Sequence, residues 1–297
     1  MIHPKWYVFA GGGMHGIAFV GALTVLEQHY RKTGGWHPHG YVGVSVGSLT
    51  ALLLALGYTL DELRDVVFNM DYSALQNVNE DTLVDALENC GIDDGGGLRA
   101  FVEKLLATRG LGAGAVFADL GSADKAAPAL RIYACRLRDG VSVEFSRRRT
   151  PHISIVDALC ASMAVPFYYT PVMINGELYV DAGVVNNYPI DLLSPAEQQS
   201  ALGFLFRLDD DPFVLGDDYS ILAYGHKLIK IMTMDRYRAQ LRHFGDRTIL
   251  INSGSIQFLD FGMSADVKER LIELGAGAAR AFLARRPAPP ARRWSVS

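Results

Sequence analysis

Cysteine is scarce in this chain. Its three thiols, Cys90, Cys135 and Cys160, lie far apart and form no C-x-x-C pair. An odd, dispersed set argues against a disulfide framework and a cysteine-built zinc site, and reduced thiols are the expectation. Long apolar runs are missing too: nothing approaches the roughly 18 residues that a spanning helix needs. The opening stretch, MIHPKWYVFAGGGMHG, has no apolar signal region ahead of a cleavage site. The expectation is a soluble intracellular protein that can visit a membrane surface. Nor is there an excess of one charge. Lys and Arg number 28 against 32 Asp and Glu, a net charge of -4. That balance offers no clustered basic face for nucleic acid. Internal repeats and clear linkers are also lacking.

What is present is core material. Apolar residues make up 49% of the chain and charged ones 20%, a globular composition. WYVFA (6–10) reads as a buried strand stopping at three glycines, and GIAFVGALTVLEQHYRK as an amphipathic helix. YVGV (41–44) is a second short strand, followed by a buried helix ending at Gly57. Thr59 and Glu62 are spaced as a capping box for the next helix. Strand, turn, helix, repeated, implies a parallel sheet with crossover helices. Residues 72–121 read as helices joined by glycine-rich loops, LRAFVEKLLATRG being the clearest. Asp139-Gly140 and Asn175-Gly176 mark two hairpins. SIVDALCASM is a short helix stopped near Pro166, and ALGFLFRL (201–208) a further buried strand. An acidic loop, Asp209 to Asp218, precedes a long helix from Tyr219 to Phe244 and the strand TILIN. Ser264 suits the N-cap of the last helix. The expected fold is α/β: one domain over 1–286, a mostly parallel central sheet flanked by helices in three layers. Residues 287–297 read as a flexible, basic, proline-rich tail.

Two glycine turns carry the chemistry. GGGMHG, with Gly11, Gly13 and Gly16, fits G-x-G-x-x-G between a strand and a helix. That context suits a dinucleotide. It equally suits a nest of N–H groups that stabilises an oxyanion. A dinucleotide fold wants an acid at the end of the second strand, where this chain has Val44-Ser45. There, GVSVG places Ser45 between Gly43 and Gly47 in a G-x-S-x-G turn, again between strand and helix. Such a turn exposes a serine hydroxyl near a helix N-terminus, with the Val46 N–H placed to join an oxyanion site. The plain alternative makes Ser45 or Ser48 an N-cap. In a parallel sheet both turns lie at the carboxyl ends of strands, facing one cleft.

The serine needs a base. His226 and His243 would satisfy a Ser, Asp, His order, but both lie in a strongly helical segment. Asp181 ends the strand ELYVD, ahead of a loop with paired asparagines. Direct assistance by Asp181 demands burial and a short bond to the serine, because an ordinary Asp has a pKa of about 3.9. Its plain alternative is a loop cap.

GGGMHG, GVSVG and DAG (181–183), in this order and with ASMAVPFYYTPV between, resemble the patatin-like phospholipase family over Trp6 to about Pro189. The resemblance implies a hydrolase of lipid acyl esters with Ser45 as nucleophile and Asp181 as proton acceptor. It assigns the oxyanion and binding role to Gly11, Gly12, Gly13, Met14, Gly16 and Val46. Gly43, Gly47 and Gly183 would support the elbow and the aspartate loop. It implies no metal and no cofactor, a lipid or phospholipid ester as substrate, possible peripheral membrane contact and no nucleic acid. Oligomeric state is left open. Two positions depart from the family pattern: His15 where Arg or Lys is usual, and Ala182 in place of a glycine. A weakly catalytic lipid-binding protein of the same fold and a dinucleotide-binding protein using Gly11–Gly16 stay open as alternatives. The arginines of the tail and Trp294 could touch anionic headgroups.

Overall fold

A computed structural model of the chain describes residues 3–33, 36–78, 86–121, 127–208, 221–254, 256 and 260–285. The acidic loop 209–218, the tail 287–297 and the domain boundary expected at 286 lie outside the described residues. The strands are β1 (Trp6–Phe9), β2 (Gly40–Val44), β3 (Gly91–Asp93), β4 (Ala129–Arg136), β5 (Val141–Ser146), β6 (Phe167–Tyr169), β7 (Val172–Ile174), β8 (Glu177–Asp181), β9 (Ala201–Phe206) and β10 (Thr248–Ile251). The helices of nine residues or more are α1 (Ala18–Lys32), α2 (Val46–Ala55), α3 (Leu60–Asn69), α4 (Gly96–Ala107), α5 (Ile155–Met163), α6 (Ile221–Phe244) and α7 (Ala265–Ala284).

The central sheet runs β10-β9-β1-β2-β4-β8-β7, with β5 also on β4. From β10 to β4 every pairing is parallel. Parallel strands are covered on both faces, and β1 demonstrates it residue by residue. Tyr7 and Phe9 enter the core built with α1, α2 and α7. Val8 and Ala10 enter a second core with Tyr188, Ile190 and the Tyr237, Leu241 and Phe244 side chains of α6. This two-residue alternation between two apolar cores makes three layers.

The local signals explain most boundaries. Thr59 and Glu62 form the expected capping box of α3. Gly57 takes a left-handed φ of 78° after α2, and Ser264 caps α7. Asn175 and Gly176 have φ of 50° and 80°, the mirror-image turn that fits a two-residue hairpin. Two readings need correction. The segment 72–121 is not helix and loop alone: β3 pairs in parallel with β6 as a separate two-stranded sheet. Strands of three residues are too short to leave a periodic trace. The glycine turn enters α1 through a 3-10 segment, Gly13–Ile17, before the helix begins at Ala18.

One register detail positions everything that follows. β5 pairs with Arg131 to Arg136 along one edge of β4. The opposite edge is shared. β2 takes it as far as Val44 opposite Tyr133, and β8 takes over with Asp181 opposite Ala134. β2 is parallel and β8 antiparallel to β4, so their carboxyl ends meet head to head.

Candidate active site

Ser45 is the first residue past that junction. Its φ of 56° and ψ of -132° put a non-glycine residue in a sparsely populated region, at a cost of about 1–3 kcal/mol. Its side chain makes no capping bond to α2, which removes the N-cap explanation. The turn is possible because strand and helix cross without side chains between them. A Cβ on Gly43 would lie 2.3 Å from the Gly47 carbonyl, and one on Gly47 only 2.4 Å from the carbonyl oxygen of Phe9. Ser48 N–H donates to Ser45 O at 2.8 Å, the first bond of α2. That leaves the Val46 and Gly47 N–H groups without an intrahelical acceptor.

The glycine turn lies against this elbow. A Cβ on Gly11 would stand 3.1 Å from Ser45 Cβ, and one on Gly16 2.4 Å from Val46 Cγ2. Gly13 has a φ of 50°, accessible to glycine at little cost. His15 N–H donates to Gly12 O at 3.1 Å, so the Gly13 and Met14 N–H groups at the head of the turn have no intrahelical acceptor. Two helical N-termini thus bring N–H groups to the neighbourhood of one hydroxyl.

Asp181 faces Ser45 from the other strand end. Its carboxyl group faces the Ser45 hydroxyl, whose influence draws the carboxyl pKa down, and its Oδ1 accepts the Gly183 N–H at 2.7 Å. The capping role is therefore present alongside its place facing the serine. The Asp181 N–H donates to Ala164 O at 2.9 Å, tying it to the end of α5. Burial raises the carboxyl pKa to about 6, against the opposing pull of the Ser45 hydroxyl and the Gly183 N–H. Desolvation disfavours the anion, and both groups favour it. Ser45 and Asp181 are only 4% and 5% exposed. Neither histidine of the Ser, Asp, His alternative mediates their contact. His243 bonds the Ala239 carbonyl of its own helix, and His226 lies exposed on α6.

His15 is not positioned as a free cation. Its Nε2 lies 2.7 Å from the Ile256 carbonyl and must donate to it. Nδ1 lies 3.2 Å from Ser253 Oγ. Burial pushes the imidazole pKa down, outweighing the bond to the Ile256 carbonyl. The ring ties the glycine turn to the segment after β10.

Two contributors were not singled out as site residues by the sequence. Asn187 Nδ2 donates to Gly11 O at 2.9 Å, and Gly11 N–H donates back to Asn187 O at 3.1 Å. This reciprocal pair staples the glycine turn to the aspartate loop. In the sequence it shows only as one of two adjacent loop asparagines. Ser162, within α5, accepts the Ser45 N–H at 2.9 Å. In the sequence it is an unremarked small residue inside the ASM stretch.

A strained strand-end serine, an aspartate at the adjoining strand end and two helical N-termini meet at one edge of an α/β fold. The chain is a member of the patatin-like phospholipase family, whose model matches residues 7–194, well over half its length. It is 28% identical over 277 residues to an uncharacterised protein of Acanthamoeba polyphaga mimivirus, covering 91% of each chain. It is 27% identical over 196 residues to a protein of Invertebrate iridescent virus 6 named probable lipid hydrolase, covering 64% of each. Among solved structures, VipD from Legionella pneumophila shares the fold, with a TM-score of 0.61 at 15% identity over 95% of this chain and 67% of that one. The type III effector ExoU also does, at 0.53 and 18% over 94% of this chain and 52% of the effector.

Proposed function

We propose that this protein hydrolyses carboxylic esters of lipids, as a phospholipase A, lysophospholipase or esterase, through a Ser45–Asp181 dyad. One observation carries the reading: Ser45 follows Val44, and Val44 and Asp181 pair with the adjacent β4 residues Tyr133 and Ala134, which brings the hydroxyl to the buried carboxyl. Family membership and the viral relative's name support lipid esters as the substrate class.

The steps follow from the groups in place. Asp181, as carboxylate, takes the Ser45 proton while Oγ attacks the ester carbonyl. The raised carboxyl pKa narrows the mismatch with an alcohol and brings the base nearer to neutral pH. The oxyanion is held by N–H groups around Gly12, Gly13 and Met14, joined by Val46. Collapse expels the alcohol portion, which takes the proton from Asp181, and leaves an acyl ester on Ser45. Water then gives a proton to Asp181 and attacks the acyl-enzyme. The fatty acid leaves as Ser45 recovers the proton. Gly11 and Gly16 shape the turn, Gly43 and Gly47 the elbow, and Gly183 fixes the aspartate.

Peripheral contact with a lipid surface belongs to the same reading. The outer face of α6 exposes Tyr224, Leu228, Ile231 and Met232, the last at 78%. These residues recur at helical spacing on one side. Among the described residues no helix is long and apolar enough to cross a membrane. The direct test of the chemistry is a fluorophosphonate probe followed by peptide mass spectrometry. The adduct is expected on Ser45. A fully inert Ser45 in folded protein would favour the lipid-binding alternative.

A further inference from the structure

We infer that Ser162 is a positioning residue that holds the Ser45 elbow in its reactive conformation, by plugging the seam at which β2 hands over to β8. The inference rests on Ser45 being the nucleophile. Ser162 is wholly buried, and its hydroxyl makes three contacts. It donates to the Tyr133 carbonyl at 2.7 Å. It accepts the Ser45 N–H at 2.9 Å. Its Oγ lies 2.8 Å from Ser48 Oγ. A hydroxyl has one proton and two lone pairs. The proton goes to Tyr133, so the Ser48 hydroxyl must be the donor in the third contact. The capacity of the Ser162 hydroxyl is then fully used, with each direction fixed.

The location explains why such a plug is needed. Tyr133 is the last β4 residue paired with β2, and Ala134 the first paired with β8. At Ser45 the chain leaves the ladder with a left-handed φ. Its N–H, in a site 4% exposed, would otherwise be a buried orphan donor. Ser162 joins the broken ladder on one side to the elbow on the other. It also occupies the Ser45 N–H, leaving the oxyanion role to donors on Val46 and the glycine turn. The same α5 holds the other half of the dyad, since Ala164 O accepts the Asp181 N–H at 2.9 Å. One helix end thus sets the spacing between nucleophile and base.

Removing the hydroxyl strands three polar groups and frees the strained turn to relax toward ordinary helix entry. That misplaces Oγ without touching the surface that binds substrate. The effect belongs in kcat, because an interaction lost only on the way to the transition state leaves KM alone. The test measures kcat and KM on a soluble medium-chain nitrophenyl ester, with Tm and circular dichroism as controls, for wild type, Ser162→Ala, Ser162→Thr, Ser162→Cys and Ser45→Ala. Folded Ser162→Ala is expected to lose at least about 30-fold in kcat with KM within twofold. Ser162→Thr, which keeps the hydroxyl, should recover most of it. A folded Ser162→Ala with kcat within twofold of wild type overturns the inference. If Ser162→Ala does not fold, the near-isosteric Ser162→Cys decides. Its weak S–H bonds should lower kcat at least fivefold at constant KM, and an unchanged kcat overturns the inference. Ser45→Ala separates this from the parent reading. Activity surviving in Ser45→Ala removes the nucleophile itself, whereas an inactive Ser45→Ala beside a fully active Ser162→Ala removes only the positioning role.

Discussion

Val44 and Asp181 pair with consecutive residues of β4, Tyr133 and Ala134, along the same edge. Ser45 directly follows Val44, so two strand ends running in opposite senses deliver a hydroxyl and a carboxyl to one point. No side chain is needed to bridge them. Ser45→Ala and Asp181→Asn are each expected to reduce hydrolysis of medium-chain nitrophenyl esters by at least about 10³-fold, the scale seen when a nucleophile or its base is removed. Both variants should keep the wild-type circular dichroism spectrum. Steady-state kinetics at pH 8 make the check, and near-wild-type turnover in either variant excludes the dyad.

The pH dependence should report the buried carboxyl. An ordinary aspartate would place the acid limb of kcat/KM near pH 4. Burial raises Asp181 to about 6, so activity should rise with pH through about 6 with a single-proton slope. A limb at or below pH 4.5 in a pH–rate profile would mean that Asp181 is not the base.

The same shift makes Asp181 a stability liability. Its folded pKa, about 6, exceeds the ordinary value of 3.8. Between these values the folded state binds more protons than the unfolded one, so stability falls as pH rises. The anion then costs about 3 kcal/mol at neutral pH. Asp181→Asn keeps an acceptor for the Gly183 N–H but cannot ionise. It should therefore gain Tm at pH 8, by about 2–4 °C per kcal/mol, and that gain should shrink as pH falls toward 4. Thermal melts of the two proteins at pH 4, 6 and 8 give the comparison.

The parts of the site legible in sequence were those with a steric or covalent signature. Gly43 and Gly47 are forced by backbone contact within the elbow, and Asn175-Gly176 by the turn. Asp181 was legible as a strand end. Its pairing with Ser45 came from the family resemblance, because the meeting of β8 with β2 depends on a shared edge of β4 that no local pattern records. Ser162 and Asn187 act through bonds spanning 117 and 176 residues, and their residue types are ordinary where they stand. His15 shows the converse. In the sequence it stands only as a departure from the family's Arg or Lys, while in the structure its ring nitrogens face Ile256 and Ser253.

Asn187 supplies a test of the glycine turn. Its amide and backbone both bond Gly11, and its Oδ1 lies 2.3 Å from where a Gly11 Cβ would be. Asn187→Ala removes the side-chain bond and leaves the Gly11 carbonyl short of a partner, a loss of about 1–3 kcal/mol of stability. The turn that carries the Gly13 and Met14 N–H groups loosens with it. A fall of about tenfold or more in kcat is expected, with unfolding in urea measuring the stability loss. Unchanged kcat in a destabilised variant would show that the staple serves folding alone.

The outer face of α6 predicts how substrate is met. Ile231 and Met232 are 59% and 78% exposed, while Gln240 of the same helix is buried against Asn186 and the Tyr188 carbonyl behind the aspartate loop. The helix is thus anchored by one face beside the site and presents apolar side chains on the other. Burying a few such side chains at a headgroup boundary contributes about 1.5–3 kcal/mol each at most, enough for reversible attachment. The expected result is co-sedimentation of Ser45→Ala protein with vesicles containing about one-third phosphatidylserine. It should weaken at least tenfold when Ile231→Glu and Met232→Glu are added to that protein. Introduced alone into the Ser45-containing protein, the two glutamates should leave hydrolysis of a soluble short-chain ester within twofold, because neither side chain belongs to the dyad or the glycine turn. Equal vesicle binding by both proteins would move the contact off α6. Loss of soluble-ester activity together with vesicle binding would mean that the helix face supports the site rather than a membrane.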